Sequence, residues 1–349
     1  MGHRCSIACI IPPVLLQELA KTGGDEDRDA LLRTLAVDAT LRTARVHNSL
    51  VGAPVNATTV RQSVTPGKPV RTIYDCENQE VRTTPKQMRG EGDPDSDDVT
   101  VNEAYAGLGD TYAFYWDRFQ RDSIDDQGLP LHGWVHYGQD YDNAFWDGTE
   151  MVFGDGKMFD RFTKSLDVIG HELTHGVTEH EAGLQYLNQS GALNESISDV
   201  FGVQVKQYKL GQTVEEADWL IGADIVKEGF PGKALRSMAE PGTAWERDDQ
   251  PANMKDYVNT MSDNGGVHTN SGIPNKAFHD VAMALGGHSW EKAGRIWYET
   301  LRDPRVKPNA NFRSFAGRTM ATVRRLYGAS GEEAKAVADG WEGVGVAVH

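Results

Sequence analysis

Residues 167–180 read "DVIGHELTHGVTEH" (Asp167 to His180), with three histidines and three acids in an otherwise apolar-spaced segment. His171 and His175 stand four residues apart, so on an α-helix of 3.6 residues per turn they lie nearly one above the other. Both imidazoles can then face a single ion, and the spacing suits zinc. Glu172 lies about 100° further round the same turn, off that axis, where its carboxylate can reach a water instead of the ion.

A catalytic zinc usually takes three protein ligands and keeps one position open, so a third ligand is expected downstream. His180, five residues past His175, falls beyond the shared helix face and reads as an exposed histidine of the last turn. The metzincin pattern would need glycine and histidine at 178 and 181, where Thr178 and Glu181 stand. "SGALNESISDVFG" (Ser190 to Gly202) fits better. It puts Glu195 and Asp199 one turn apart on an amphipathic segment whose Leu193, Ile197 and Val200 face a core. Glu195 would then bind the metal, with Asp199 behind it accepting the second ring N–H of a ligand histidine and fixing its tautomer.

The bulk composition narrows the partners. The chain of 349 residues can hold two domains and a smaller appendage. Its 35 Lys+Arg against 51 Asp+Glu give a net charge of −16, which argues against nucleic acid and anionic membranes. No run approaches the roughly 20 apolar residues of a membrane span. The three cysteines, Cys5, Cys9 and Cys76, exclude a disulfide framework and a Cys-rich zinc module. "CSIACIIPPVLL" (Cys5 to Leu16) is apolar, but Pro12-Pro13 breaks it and no small-residue cleavage pattern follows, so it is not read as a secretion signal.

The pattern changes character along the chain. "LLQELA" and "RDALLRTLAVDATLRTARV" are helical in spacing, and Ser49 to Val70 reads as an exposed linker rich in Gly, Pro and Thr. Short β-like runs, "VRTIYDC", "LHGWVHYG" and "EMVFGDG", then surround one helical stretch, "VNEAYAGLGDTYAFYWDRF". From Phe159 onward helices are expected at Phe159 to Glu179, Ala192 to Tyr208, Gly272 to Leu285, Trp290 to Leu301 and Phe312 to Leu326. The acidic tract Glu91 to Asp98 reads most simply as a solvated loop, with an oxygen-rich cation site as the sharper alternative.

The run His171-Glu172-x-x-His175, then Glu195, then Asp199, resembles the thermolysin family of zinc endopeptidases; animal-type aminopeptidases would put the third ligand at Asn194. "DNAFWDG" (Asp142 to Gly148), "GLQYLNQSGALNESISDVFG", "LRSM" and "DNGGVHTNSGIPNKAF" agree with the family in order. The resemblance implies an α+β, two-lobed protein with a β-rich N-terminal lobe (70–157), a mainly helical C-terminal lobe (158–349) and the zinc helix in the cleft between them. Residues 1–50 would form a short propeptide, and 51–69 a linker with the processing region.

It also implies residue roles. His171, His175 and Glu195 would hold one zinc and Glu172 would be the general base. Tyr186 and His268 would donate to the oxyanion, with Asp263 orienting His268. Arg236 would hold a substrate carbonyl, while Asn143 and the backbone of Ala144 would pair with the peptide as an added strand. Phe159, Phe162, Val168, Ile221, Ile225 and Leu235 would line the pocket after the cleaved bond, which favours Leu, Phe and similar side chains there.

Two departures stand out. Many relatives carry a double calcium site beside the zinc helices; here Asp167 and Asp218 remain, but Lys206, Leu220 and Ala223 replace carboxylates. Lys206 is expected to pair with Asp167 or Asp218 in place of calcium. "IIPPVLL" resembles the brief propeptide of protealysin-like members, cut somewhere between about Arg45 and Lys68. Cys5 or Cys9 would either block the zinc or serve as apolar filler. The expected partners are peptide and protein substrates and the chain's own propeptide as intramolecular inhibitor, acting on a monomer. Resemblance implies secretion, with a cytoplasmic zymogen as the alternative. A silent zinc-containing interaction protein is the competing function, against which intact Glu172, Tyr186 and His268 count.

Overall fold

A computed structural model describes residues 8–51, 65–82 and 85–348, with the side chains of Ala8 and of residues 42–51 outside that description. Cys5 and most of the linker with its processing region therefore lie outside the described residues. The chain forms two compact units: one runs to Val177 and includes Asp224–Phe230, and the other comprises Thr178–Ala223 and the chain from Pro231.

The first unit holds β1 (Ala8–Cys9), α1 (Pro13–Thr22), α2 (Asp25–Val51), β2 (Arg71–Asp75), β3 (Lys86–Gly90), α3 (Val99–Phe119), β4 (Leu131–Val135), β5 (Ala144–Trp146), β6 (Met151–Phe153) and most of α4 (Leu166–His180). Pro13 opens α1 where a missing N–H costs nothing, and Asp25, Glu26 and Asp27 favour the N-terminal end of α2. The six strands form one sheet, ordered β1-β5-β6-β4-β2-β3. The β2–β4 and β4–β6 pairs are parallel and the other pairs antiparallel.

β5 shows no polar alternation, because both of its faces are covered. Phe145 packs with Cys9, Tyr141 and Val152. Trp146 meets α4 at Gly176, where an added Cβ would lie 3.0 Å from the indole and 2.5 Å from Ile124. Glycine there lets the helix approach the strand closely.

The expected helix from Phe159 begins only at Leu166. The buried Asp142 carboxylate accepts the backbone N–H groups of Lys157, Met158 and Phe159, and Phe159 bridges to Val226. Those donors cannot also serve a helix, so only one 3₁₀ turn, Phe162–Lys164, forms before α4. The acidic tract is not simply solvated either. Glu91 binds Arg71 and Tyr105, Asp95 pairs with Arg89, and Asp98 caps α3 and contacts His136.

The second unit holds α5 (Asn188–Leu210), β7 (Leu220–Ile221), β8 (Arg236–Ser237), α6 (Asp263–Asn270), α7 (Gly272–Leu285), α8 (Ala293–Leu301), α9 (Phe312–Tyr327) and α10 (Glu332–Gly343). Four of the expected helices appear within a few residues of their predicted ends. α5 is not amphipathic: every residue from Ser190 to Gln207 is buried, so it runs through the middle of its unit. α10 was not expected; its Trp341 stacks on Trp297 at 6.0 Å and donates to Thr319. Lys206 pairs with Asp218, one of the two acids proposed from the sequence, at 3.1 Å.

Candidate active site

α4 places the rings of His171 and His175 with centroids 4.7 Å apart, nearly perpendicular, and their Nε2 atoms 3.0 Å apart. Two nitrogens bound to one tetrahedral zinc at ~2.0–2.1 Å sit roughly 3.3 Å apart, so this pair is poised for a shared ion. His171, His175 and Glu195 are all buried and offer ligand atoms within 4.8 Å of one another, the only such group among the described residues. Two imidazoles and a carboxylate make a donor set that suits zinc with one position left for solvent.

Glu172 is wholly buried on the turn between the histidines, and its Oε2 accepts the backbone N–H of Trp146 at 3.0 Å. β5 thus orients the carboxylate, a role for Trp146 that no motif signalled.

In the second unit, "DNGGVH" interrupts α6: Asn264, Gly265 and Gly266 all have positive φ, and an added Cβ at Gly265 would stand 2.1 Å from Asn188 Oδ1. The kink brings Asp263 under His268. Its Oδ1 lies 2.8 Å from Nδ1, and its Oδ2 accepts the His268 backbone N–H at 2.9 Å. His268 Nε2 lies 3.2 Å from the Tyr186 hydroxyl, which also donates to Glu195. Burial disfavours the charged imidazole, but the carboxylates of Asp263 and Glu195 outweigh it and raise the His268 pKa to about 9.

Asp199 has more partners than its sequence role suggested. It receives Arg236 through Nε at 2.9 Å and Nη2 at 2.8 Å, and Asn275 at 2.8 Å. Burial works against the guanidinium, and the adjoining Asp199 holds it protonated all the same. Asn275 lies inside the quoted "GIPNKAF" yet carried no signal of its own.

Asn143 is fully buried. Its Oδ1 accepts the N–H of Ile11 at 3.1 Å and of Ala144 at 3.0 Å, and its Nδ2 reaches the Ile11 carbonyl at 3.4 Å. Beside it β1 pairs antiparallel with β5, Ala8 opposite Trp146 and Cys9 opposite Phe145, and Ile10 N–H reaches the Ala144 carbonyl at 3.4 Å. The chain's own N-terminal segment occupies the edge expected to take peptide. Of the six expected pocket residues, Phe159, Phe162, Val168, Ile221 and Ile225 are 0% exposed and Leu235 1%.

For Cys9 the sequence left two readings open, a zinc-blocking thiolate and apolar filler. It packs with Cys76, Trp134, Tyr137, Tyr141, Phe145 and Val152, and it is not a member of the metal-binding group. The β1–β5 register turns its side chain into this apolar cluster, so the filler reading holds for Cys9. The blocking role given to Cys5 lies outside the described residues.

A buried ion-binding trio with a further carboxylate beside it is the equipment of a metal-dependent hydrolase. The chain belongs to the thermolysin metallopeptidase family. The model of that family's catalytic domain matches residues 57–179, and the model of its alpha-helical domain matches residues 182–346. An extracellular metalloprotease of Pectobacterium carotovorum subsp. carotovorum is 51% identical over 98% of this chain and 97% of its own length. Protease PrtS of a Photorhabdus species is 44% identical over 97% of this chain and 92% of its own. The solved precursor of protealysin, a metalloproteinase from Serratia proteamaculans, is 48% identical, with a TM-score of 0.87, covering 97% of this chain and all of that one. The protein is thus a metalloendopeptidase of α+β fold, a sheet in its first half and helices in its second, as the sequence implied.

Proposed function

We propose that this enzyme is a zinc endopeptidase in which Glu172 is the general base, made as a latent precursor and favouring bulky apolar residues after the cleaved bond. The observation that carries the reading is the His171, His175 and Glu195 group, with Glu172 fixed beside it by Trp146. Bound zinc would lower the pKa of water toward ~7 and polarise the scissile carbonyl.

The remaining work falls to the chain's own residues. Glu172 takes the proton of the attacking water and returns it to the leaving amine. Tyr186 and His268, the latter oriented by Asp263, donate to the oxygen on which charge develops. Arg236, held by Asp199, receives a substrate carbonyl, and Asn143 with Ala144 extends the substrate as a strand. The apolar side chains of Phe159, Phe162, Val168, Ile221, Ile225 and Leu235 suit Leu or Phe.

Latency is supported by the seating of Ala8–Ile11 on β5 and Asn143; in this reading residues 1–50 are a propeptide, 51–69 its linker, and 70–157 and 158–349 the two catalytic lobes. The Lys206–Asp218 pair supports independence from calcium. The extracellular relatives support secretion; among the described residues no helix is long and apolar enough to cross a membrane. The enzyme acts as a monomer on peptides and proteins. The test is hydrolysis of casein: Glu172→Gln should abolish it while zinc stays bound, and retained hydrolysis would refute the role of Glu172.

A further inference from the structure

Residues 302–325 carry seven cations and one acid, in a chain whose net charge is −16. Five of those cations, Arg305, Lys307, Arg313, Arg318 and Arg324, line one groove of about 970 Å³ along α9 and the loop before it. Among the described residues that line it none is acidic. Arg305 is already bonded to Asp303, but Lys307 and Arg324 are exposed and, among the described residues, form no ion pair.

Arg313, Gly317, Ala321 and Arg324 follow at helical spacing, so they share one face of α9. An added Cβ at Gly317 would meet no atom within 4 Å, and the residue does not have positive φ. Glycine weakens a helix interior relative to alanine, and neither close packing nor backbone conformation requires it here. Its missing side chain leaves the trough clear between the arginines.

The groove adjoins the segment that carries Tyr186. Gln185 N–H donates to the Pro308 carbonyl at 2.7 Å, and Gln189 Oε1 accepts the Phe312 N–H at 2.9 Å. The loop between Lys307 and Arg313 therefore holds the chain on both sides of Tyr186. Arg313 and Arg324 lie about 16 Å apart along the helix axis, the length of about five extended residues. Guanidinium groups bind carboxylates through two parallel hydrogen bonds. A short acidic peptide segment matches both the length and the chemistry. A long polyphosphate or an anionic membrane would reach past the groove onto a strongly negative protein, which repels it.

We propose that this groove is an exosite for an acidic segment of a protein substrate, remote from the cut bond, so that substrates with runs of Asp or Glu are preferred. This rests on the reading of the enzyme as a zinc endopeptidase. The groove adds binding and leaves the chemistry to the metal site, so it lowers KM and does not change kcat.

Binding is read by fluorescence anisotropy of a labelled Asp/Glu peptide on the full chain made inactive by Glu172→Gln. Catalysis is read on active enzyme with paired substrates that share one cleavable apolar sequence. Each carries an acidic or a Gln-rich tail on a Gly-Ser linker, placed before or after the cut. The peptide should bind, and should dissociate at roughly 0.5 M salt, where charge is felt over only about 4 Å. The acidic tail should lower KM several-fold at unchanged kcat. Lys307→Gln combined with Arg324→Gln should weaken peptide binding about fivefold or more and erase the KM difference, while hydrolysis of the Gln-tailed substrate stays the same. Gly317→Leu keeps every charge and fills the trough, so it should block the peptide without lowering the thermal midpoint. No binding, binding indifferent to these variants, or equal KM for the two tails would overturn the proposal. Tighter binding of phosphatidylglycerol vesicles than of the peptide would overturn it too. If zinc-loaded enzyme cuts neither substrate, it is the endopeptidase reading that fails.

Discussion

The ammonium of Lys206 lies 3.1 Å from Asp218 Oδ1 and 3.1 Å from the carbonyl oxygen of Leu220. A lysine so placed supplies with one charge what a bound cation would supply with two, and it cannot leave when a chelator is added. A calcium-selective chelator should therefore leave the thermal midpoint and the activity nearly unchanged. A large drop in either would show that calcium binds after all. Lys206→Met should cost about 1 kcal/mol in urea unfolding, a modest figure because Asp218 is 47% exposed.

Asp199 and Arg236 form a buried pair joined by two hydrogen bonds, 0% and 3% exposed in their side chains. Asp199→Ala leaves the guanidinium buried without its counter-charge, so unfolding should become easier by about 3–5 kcal/mol. A loss below 1 kcal/mol would mean that Arg236 finds another acceptor.

His136 sits between Asp155 and Asp98, each at 2.8 Å. Its bond to Asp155, partly opposed by burial and supported by Asp98, raises its pKa from 6.5 to about 9. A raised folded pKa means stability fully present below about 6.5 and lost as pH climbs through about 9. Urea unfolding of inactive Glu172→Gln protein with and without His136→Gln should differ by about 1–3 kcal/mol at pH 6 and converge toward pH 10. A difference independent of pH would rule out the charged histidine.

Gly176 lets α4 approach Trp146, whose backbone orients Glu172. Gly176→Val would push the strand away, and a 1 Å misplacement at a catalytic group can cost about 100-fold in rate. The helix content by circular dichroism should persist while kcat falls. An unchanged kcat would show that Glu172 does not need this support.

The proposed preference for apolar residues predicts that a peptide library is cut before Leu, Phe and similar residues. Preference for charged residues at that position would end the pocket assignment.

Much of the site was legible because it is written locally. His171, Glu172 and His175 share one helical turn, and helix geometry alone fixes their relation. The Asp263–His268 relation was carried by family resemblance; its physical basis is the Asn-Gly-Gly kink, which helix periodicity does not display. What stayed hidden depends on distant partners. Phe159 looks helical until Asp142, seventeen residues earlier, takes its N–H. α5 looks amphipathic because Ser196, Ser198 and Gln204 are polar, although all three are buried. The direction of Cys9 follows from strand register, where a shift of one residue reverses the face. Asp38 carries no motif, yet it accepts the Tyr141 hydroxyl and an Asn143 side-chain N–H.

The central claim is one zinc held by His171, His175 and Glu195. Elemental analysis of purified protein tests it directly. One zinc per chain is predicted for the unchanged protein and for Glu172→Gln, and none for Glu195→Ala that elutes as a folded chain. Zinc retained by folded Glu195→Ala, or active protein without a transition metal, would contradict the account.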